Sequence, residues 1–125
     1  MTVLIDSWSW IEYWRGGPHS AKAAKFIEGS EMALGSTINL TETYFWVLRH
    51  YGEKKADEKR ETLKKRCFLI PVDEEIAVEA ARLKSGLKTS LADSLILATA
   101  RGRGAKVVTG DPDFKQIPDA IFIGE

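Results

Sequence analysis

The sequence predicts an α/β domain of three layers, a parallel sheet wrapped by helices. Three observations predict it: short apolar runs of strand length, segments of helical period lying between them, and little polar–apolar alternation within the runs. Strands covered on both faces read as unbroken apolar stretches, whereas a half-exposed sheet alternates.

Taken in order, Val3-Leu4-Ile5 is the first strand. A short helical piece at 8–14 follows and is closed by Gly16-Gly17-Pro18. A second helix is expected at about 19–28 and a second strand at Met32-Ala33-Leu34. Helical spacing then runs over 39–52 and 53–66, ahead of a third strand at Phe68-Leu69-Ile70. Two further helices, 73–85 and 90–101, lead to strands at Lys106-Val107-Val108 and Ala120-Ile121-Phe122-Ile123. Such alternation implies right-handed crossovers between parallel strands. In sheets of this kind ligands bind beyond the carboxyl ends of the strands, where strand order reverses.

A chain of 125 residues with 44% hydrophobic and 29% charged residues suits one folded domain over 1–125 and excludes a mainly disordered protein. Its one cysteine, Cys67, excludes an intrachain disulfide, and no Cys/His cluster offers a zinc site, so the expected setting is cytoplasmic. The opening residues reach Asp6 after three apolar positions, too few for a signal segment or a membrane span. The formal charge is zero, which argues against a globally basic nucleic-acid binder. Charge is uneven, however: from Ala80 to Gly110, Arg82, Lys84, Lys88, Arg101, Arg103 and Lys106 face a lone acid, Asp93. That stretch can meet phosphates, or can be a set of solvated helix ends.

Four carboxylates fall at strand ends and helix starts: Asp6, Glu42, Asp93 and Asp111. Each has a local role open to it. Asn39 with Glu42, and Ser90 with Asp93, have the spacing of an N-cap and an N3 acid, while Asp6 and Asp111 can be caps themselves, the latter before Pro112. Together they imply more, because helix starts at one sheet edge bring several negative charges into one crevice, and such crowding is costly unless a cation sits among them. Asp93 is flanked by Leu91, Ala92, Leu95, Ile96, Leu97, Ala98 and Ala100, a helix with almost no polar stripe, so its carboxylate should be buried. Glu42 lies away from the expected core stripe of its helix, Leu40, Tyr44, Val47, Leu48 and Tyr51, and is read as turned toward the crevice or toward solvent. Oxygen-only ligands select a hard cation such as Mg²⁺ or Mn²⁺. His19 and His50 have no ligand spacing, and no nucleophilic triad or phosphate-cradling glycine loop is visible.

In order and spacing, Asp6, Glu42, Asp93 and Thr109-Gly110-Asp111 resemble the acidic set of the PIN-domain nucleases, and the match spans nearly the whole chain. A chain of this size is most similar to the VapC-type toxins of toxin–antitoxin pairs. The resemblance implies a five-stranded sheet of order 3-2-1-4-5, Mg²⁺- or Mn²⁺-dependent cleavage of RNA, a homodimer, and inhibition by a small antitoxin that covers the active site. It also implies auxiliary polar or metal-linked roles for Ser7 and Asp113, while tryptophans at positions 8, 10 and 14 are not part of the family's signature.

The expected chemistry is metal-assisted phosphodiester hydrolysis with water as nucleophile. Asp6, Asp93 and Asp111 would hold the ion, Glu42 directly or through water, with Thr109 and Ser7 orienting ligands. Arg82, Lys84, Lys88, Arg101 and Arg103, with Arg49, are candidates to grip a single strand, and Trp8 or Trp46 to stack a base, against packing in the core or a dimer for the tryptophans. Trp10, Trp14, Tyr44, Phe45 and Trp46 are candidates for an exposed apolar patch between two copies. The alternatives are a PIN-type nuclease that processes RNA or cuts structured DNA, and a non-catalytic partner-binding module whose acids only cap helices.

Overall fold

Strands β1 (Thr2–Ile5), β2 (Met32–Ser36), β3 (Phe68–Ile70), β4 (Lys106–Thr109) and β5 (Ala120–Phe122) run parallel in one sheet of order β3-β2-β1-β4-β5 in a computed structural model that describes residues 1–125. This is the order that the resemblance implies. The first strand is central: Leu4 stands beside Leu34 on one side and Val107 on the other. Connections run outward from β1 through β2 to β3, then return to β4 on its other flank, so strand order reverses between β1 and β4.

Six helices cover the sheet: α1 (Ser7–Arg15), α2 (Ser20–Ile27), α3 (Thr37–Tyr51), α4 (Glu53–Arg66), α5 (Glu74–Gly86) and α6 (Leu91–Gly102). Alternation along β1 divides the core into two halves, since successive side chains point to opposite faces. Val3 and Ile5 pack with Trp10, Ala23, Ile27, Leu63 and Val108; Leu4 packs with Leu34, Ile96, Leu97, Ala100, Val107 and Phe114. The first half is closed by α1, α2 and α4, the second chiefly by α6.

Local chemistry sets the helix ends. Gly16, in the left-handed region at φ 65°, closes α1 and gives its N–H to carbonyls of Glu12 and Tyr13. Glu12 is only 2% exposed; its carboxylate pairs with Arg15 at 2.6 Å and accepts the His19 backbone N–H at 2.7 Å, which fixes the path into α2. Gly17 sits against that carboxylate so closely that a Cβ would collide with it. Arg66, ending α4, donates to the carbonyls of Phe26, Ile27 and Glu31, satisfying the open end of α2. Asp73 and Ser90 cap α5 and α6.

The third helix departs from the expectation in two ways. It begins two residues earlier, with Ser36 as N-cap: the Ser36 hydroxyl accepts the Ile38 N–H, and Asn39, at N3, returns its side-chain oxygen to the Ser36 N–H at 2.9 Å. Its buried row is Asn39, Thr43 and Val47; Leu48 is 42% and Tyr51 62% exposed, so of the predicted stripe only Val47 is core. Hydrogen bonding explains the inversion, because Asn39 is spent on the pocket described below and the Thr43 hydroxyl donates back to the Asn39 carbonyl at 2.8 Å, so both polar groups can be buried at little cost. The apolar row is left outside, where Leu40, Tyr44, Phe45 and Leu48 line an open groove of about 440 Å³ with Arg60 of α4. Trp10, at 1% exposure, lies in the core and is not available to an exposed patch. No helix is long and apolar enough to cross a membrane.

Candidate metal centre at the carboxyl edge of the sheet

Asp6 follows β1 at the point where strand order reverses, and its backbone N–H donates to Val108 of the neighbouring strand at 3.1 Å. Its side chain is buried, with a donor on each oxygen: Asn39 Nδ2 to Oδ1 at 3.0 Å and Thr109 Oγ1 to Oδ2 at 2.7 Å. Burial nevertheless dominates. It raises the carboxyl to about 6, with the charges of Glu42 and Asp111 adding to the rise and the Thr109 hydroxyl opposing it.

The Asn39 amide also donates to Ser7 Oγ at 2.9 Å, and that hydroxyl donates to Glu42 Oε1 at 2.6 Å. One buried amide therefore joins Asp6 to the Ser7–Glu42 pair. Glu42 faces the crevice, the first of its two predicted orientations. On the other side, Thr109 Oγ1 accepts the Asp111 backbone N–H at 3.0 Å, so Thr109 links the acid after β1 to the acid after β4. Asp111 caps a 3-10 turn, Pro112–Phe114, by accepting the Asp113 N–H at 3.0 Å.

Asp93 arrives from the first turn of α6, where its backbone N–H donates to the capping Ser90 hydroxyl at 3.1 Å while its own side chain is 7% exposed. Burial pushes its carboxyl up to about 7, and the Asp111 charge adds to the rise. Carboxylate oxygens of Asp93, Asp111 and Asp113 all lie within 4.8 Å of one another. No lysine, arginine or histidine forms an ion pair with Asp6, Glu42, Asp93, Asp111 or Asp113. A crevice with this much negative charge, no protein cation and only oxygen donors fits a hard dication such as Mg²⁺ or Mn²⁺.

Asn39 joins this site through Asp6 and Ser7, although its spacing from Glu42 reads in the sequence as an ordinary cap. The available signal was Ser36 three residues before it, which moves Asn39 into the first turn and toward Asp6. Replacing it tests the network: Asn39→Ala strands the Ser36 N–H and removes a donor from Asp6, so urea unfolding should show a loss of about 1–3 kcal/mol.

The candidate nucleic-acid residues scatter. Arg101 makes a two-point ion pair with Asp119, 2.9 Å at each contact, and Arg82 pairs with Glu79 at 3.3 Å. Arg82, Arg101 and Arg103 line a cavity of about 690 Å³ between α5 and the far end of α6, with Asp73, Glu74 and Glu75. Eight residues of helix separate Arg101 from Asp93, about 12 Å along the axis. Lys84 donates to the Thr89 carbonyl at 3.0 Å, and Lys88 is exposed in the segment entering α6. Trp46 stacks on His50 with ring centres 4.4 Å apart, and the Arg49 guanidinium lies 5.7 Å above Phe45, both on α3. Trp8 is half-buried and packs on Gly110.

Among solved structures, a toxin–antitoxin complex from Klebsiella pneumoniae is similar with a TM-score of 0.81 and 22% identity, covering 98% of each chain. The VapC20 toxin of Mycobacterium tuberculosis, described as cleaving the sarcin–ricin loop, gives 0.79 at 17% identity, over 94% of this chain and 96% of that one. FitAcB from Neisseria gonorrhoeae gives 0.67 at 23% identity, over 98% and 96%. No curated protein sequence matches. These likenesses establish the fold. The PIN domain profile matches residues 3–120, a span that runs from the first strand to the last and includes each of the crowded acids, and the chain belongs to the PIN domain family.

Proposed function

We propose that this chain is a Mg²⁺- or Mn²⁺-dependent endoribonuclease and the toxin of a type II toxin–antitoxin pair, working in the cytoplasm. One observation carries the reading: five carboxylates converge where strand order reverses, two are raised into the neutral range by burial, and none has a protein cation beside it. Asp6, Asp93 and Asp111 would hold the ion, with Glu42 and Asp113 completing the oxygen set. A divalent ion supplies Lewis acidity toward the phosphoryl oxygens and makes water a competent nucleophile at neutral pH.

The remaining work belongs to the chain. Thr109 and Asn39 fix both oxygens of Asp6, Ser7 holds Glu42, and the Asp113 backbone N–H holds Asp111, so the carboxylates are oriented before substrate arrives. With water as the nucleophile, attack leaves a 5′-phosphate and a 3′-hydroxyl.

Partners follow the same reading. Several similar structures are toxin–antitoxin complexes, which supports a small antitoxin as the inhibitor of this chain; a second copy is proposed as its dimer partner. The apolar groove of α3 and α4 offers such a partner a ready face. The expected assay result is cleavage of single-stranded RNA with Mg²⁺ or Mn²⁺, loss of cleavage in EDTA, and 5′-phosphorylated ends. Equal cleavage of DNA points instead to a structure-directed nuclease, and no cleavage together with no metal-linked thermal shift leaves only a binding module.

A further inference from the structure

We propose that Trp8 is a positioning residue for the Asp111 side of the pocket, acting through Gly110 rather than by stacking on a substrate base. Gly110 is buried between Thr109 and Asp111. A Cβ built on it would fall against Cη2, Cζ2 and Cζ3 of the Trp8 six-membered ring, inside any tolerable contact. Only Gly16, Gly52 and Gly104 have positive φ, so the backbone at 110 does not itself call for glycine. The ring of Trp8 does. On its other side Gly110 is met by the end of the chain: a Cβ on Gly124 would collide with the Gly110 carbonyl and Cα. Gly110 is thus held between an aromatic ring and the C-terminal segment.

What is held matters. The hydroxyl before Gly110 donates to Asp6 at 2.7 Å and receives the N–H of Asp111 at 3.0 Å. The ring itself projects from α1 two residues after Asp6, packs against the core half that contains Val3, Ile5 and Val108, and has the His19 ring 6.1 Å from it. Trp8 therefore ties the segment that carries Asp6 and Ser7 to the loop that carries Asp111. The part of the ring furthest from α1, Cζ2, Cη2 and Cζ3, is the part that meets Gly110.

The proposal rests on the nuclease reading, and titration of the whole chain with Mn²⁺ by calorimetry separates the two. Trp8→Leu should weaken Mn²⁺ binding about 10-fold or more, the lower end of what loss of an outer support costs a metal site. Trp8→Phe loses Cη2, Cζ2 and Cζ3, the atoms that meet Gly110, and should bind more weakly than wild type though better than Trp8→Leu. Gly110→Ala tests the contact from the other side with Trp8 in place: weaker binding is expected, regained in part when Trp8→Leu makes room for the new methyl. RNA cleavage should lose kcat at subsaturating Mn²⁺ with KM for RNA unchanged. Wild-type Mn²⁺ affinity in Trp8→Leu or in Gly110→Ala overturns the role of Trp8 alone, as does a raised KM with unchanged metal affinity. If Trp8→Leu does not fold, Gly110→Ala decides by the same criterion. A wild-type chain that binds no Mn²⁺ overturns both readings.

Discussion

Asp93→Asn should lower metal-dependent RNA cleavage by about 100-fold or more while raising the melting temperature of the metal-free protein. The two effects have one origin. Asp93 is 7% exposed in the first turn of α6, and burial together with the Asp111 charge lifts its carboxyl to about 7. The amide is the same shape, keeps the Ser90 cap because that bond uses the backbone N–H, and removes a buried negative charge from beside Asp111 and Asp113. Loss of a mere outer support already costs a metal site about 10–100-fold, so loss of a ligand should cost more. In a domain of this size about 1 kcal/mol moves the melting midpoint by roughly 4 °C. Cleavage gels and thermal melts in EDTA at pH 8 measure both. Full activity in the variant would falsify the assignment of Asp93 as a ligand, and a fall in its metal-free melting temperature would show that the carboxylate stabilises the fold instead.

A second large effect is a reversal of pH dependence by metal. Asp6 at about 6 and Asp93 at about 7 both lie above the ordinary aspartate value near 3.9. Between these limits the native state holds more protons than the unfolded chain, so the stability these groups contribute is full below pH 4 and is lost as pH rises through 6 and 7. For Asp6 alone the arithmetic gives about 3 kcal/mol. A dication reverses the slope, because it binds the ionised carboxylates and releases their protons. In EDTA the wild type should therefore melt progressively lower than Asp6→Asn between pH 4 and pH 8. The stabilisation on adding Mn²⁺, read from the rise in melting temperature, should be largest at pH 8, reaching about 2.7 kcal/mol at a hundred times the dissociation constant. A Mn²⁺ effect of equal size at pH 5 and pH 8 would mean that the ion binds away from these acids.

Most of the framework was legible because each strand is a short apolar run bounded by a turn or cap. Val3-Leu4-Ile5 and Lys106-Val107-Val108 are found as strands, and Gly16 ends the first helix as its conformation requires. The acids were legible for a topological reason: parallel strands deliver whatever follows them to one edge. Two kinds of information were not legible. On α3, rows that begin at positions 39 and 40 are a single residue apart, and hydropathy favours the wrong one, since a buried Asn39–Thr43 row becomes acceptable only once its partners across the fold are known. Charge counting likewise groups Arg82, Arg101 and Arg103 with the pocket because they are near Asp93 in the chain, whereas Asp119 and Glu79 engage two of them and α6 carries Arg101 and Arg103 away.

The central place of β1 orders events during synthesis. Its two neighbours, β2 and β4, are made some thirty and some hundred residues after it, and the Asp6 carboxylate meets its Thr109 donor across 103 positions. At ribosomal speeds of about 5–20 residues per second, Asp6, Ser7 and Glu42 wait several seconds for the rest of their crevice. A nascent chain that has not yet reached Thr109 and Asp111 therefore lacks one wall of the crevice, however long it lingers at the tunnel exit.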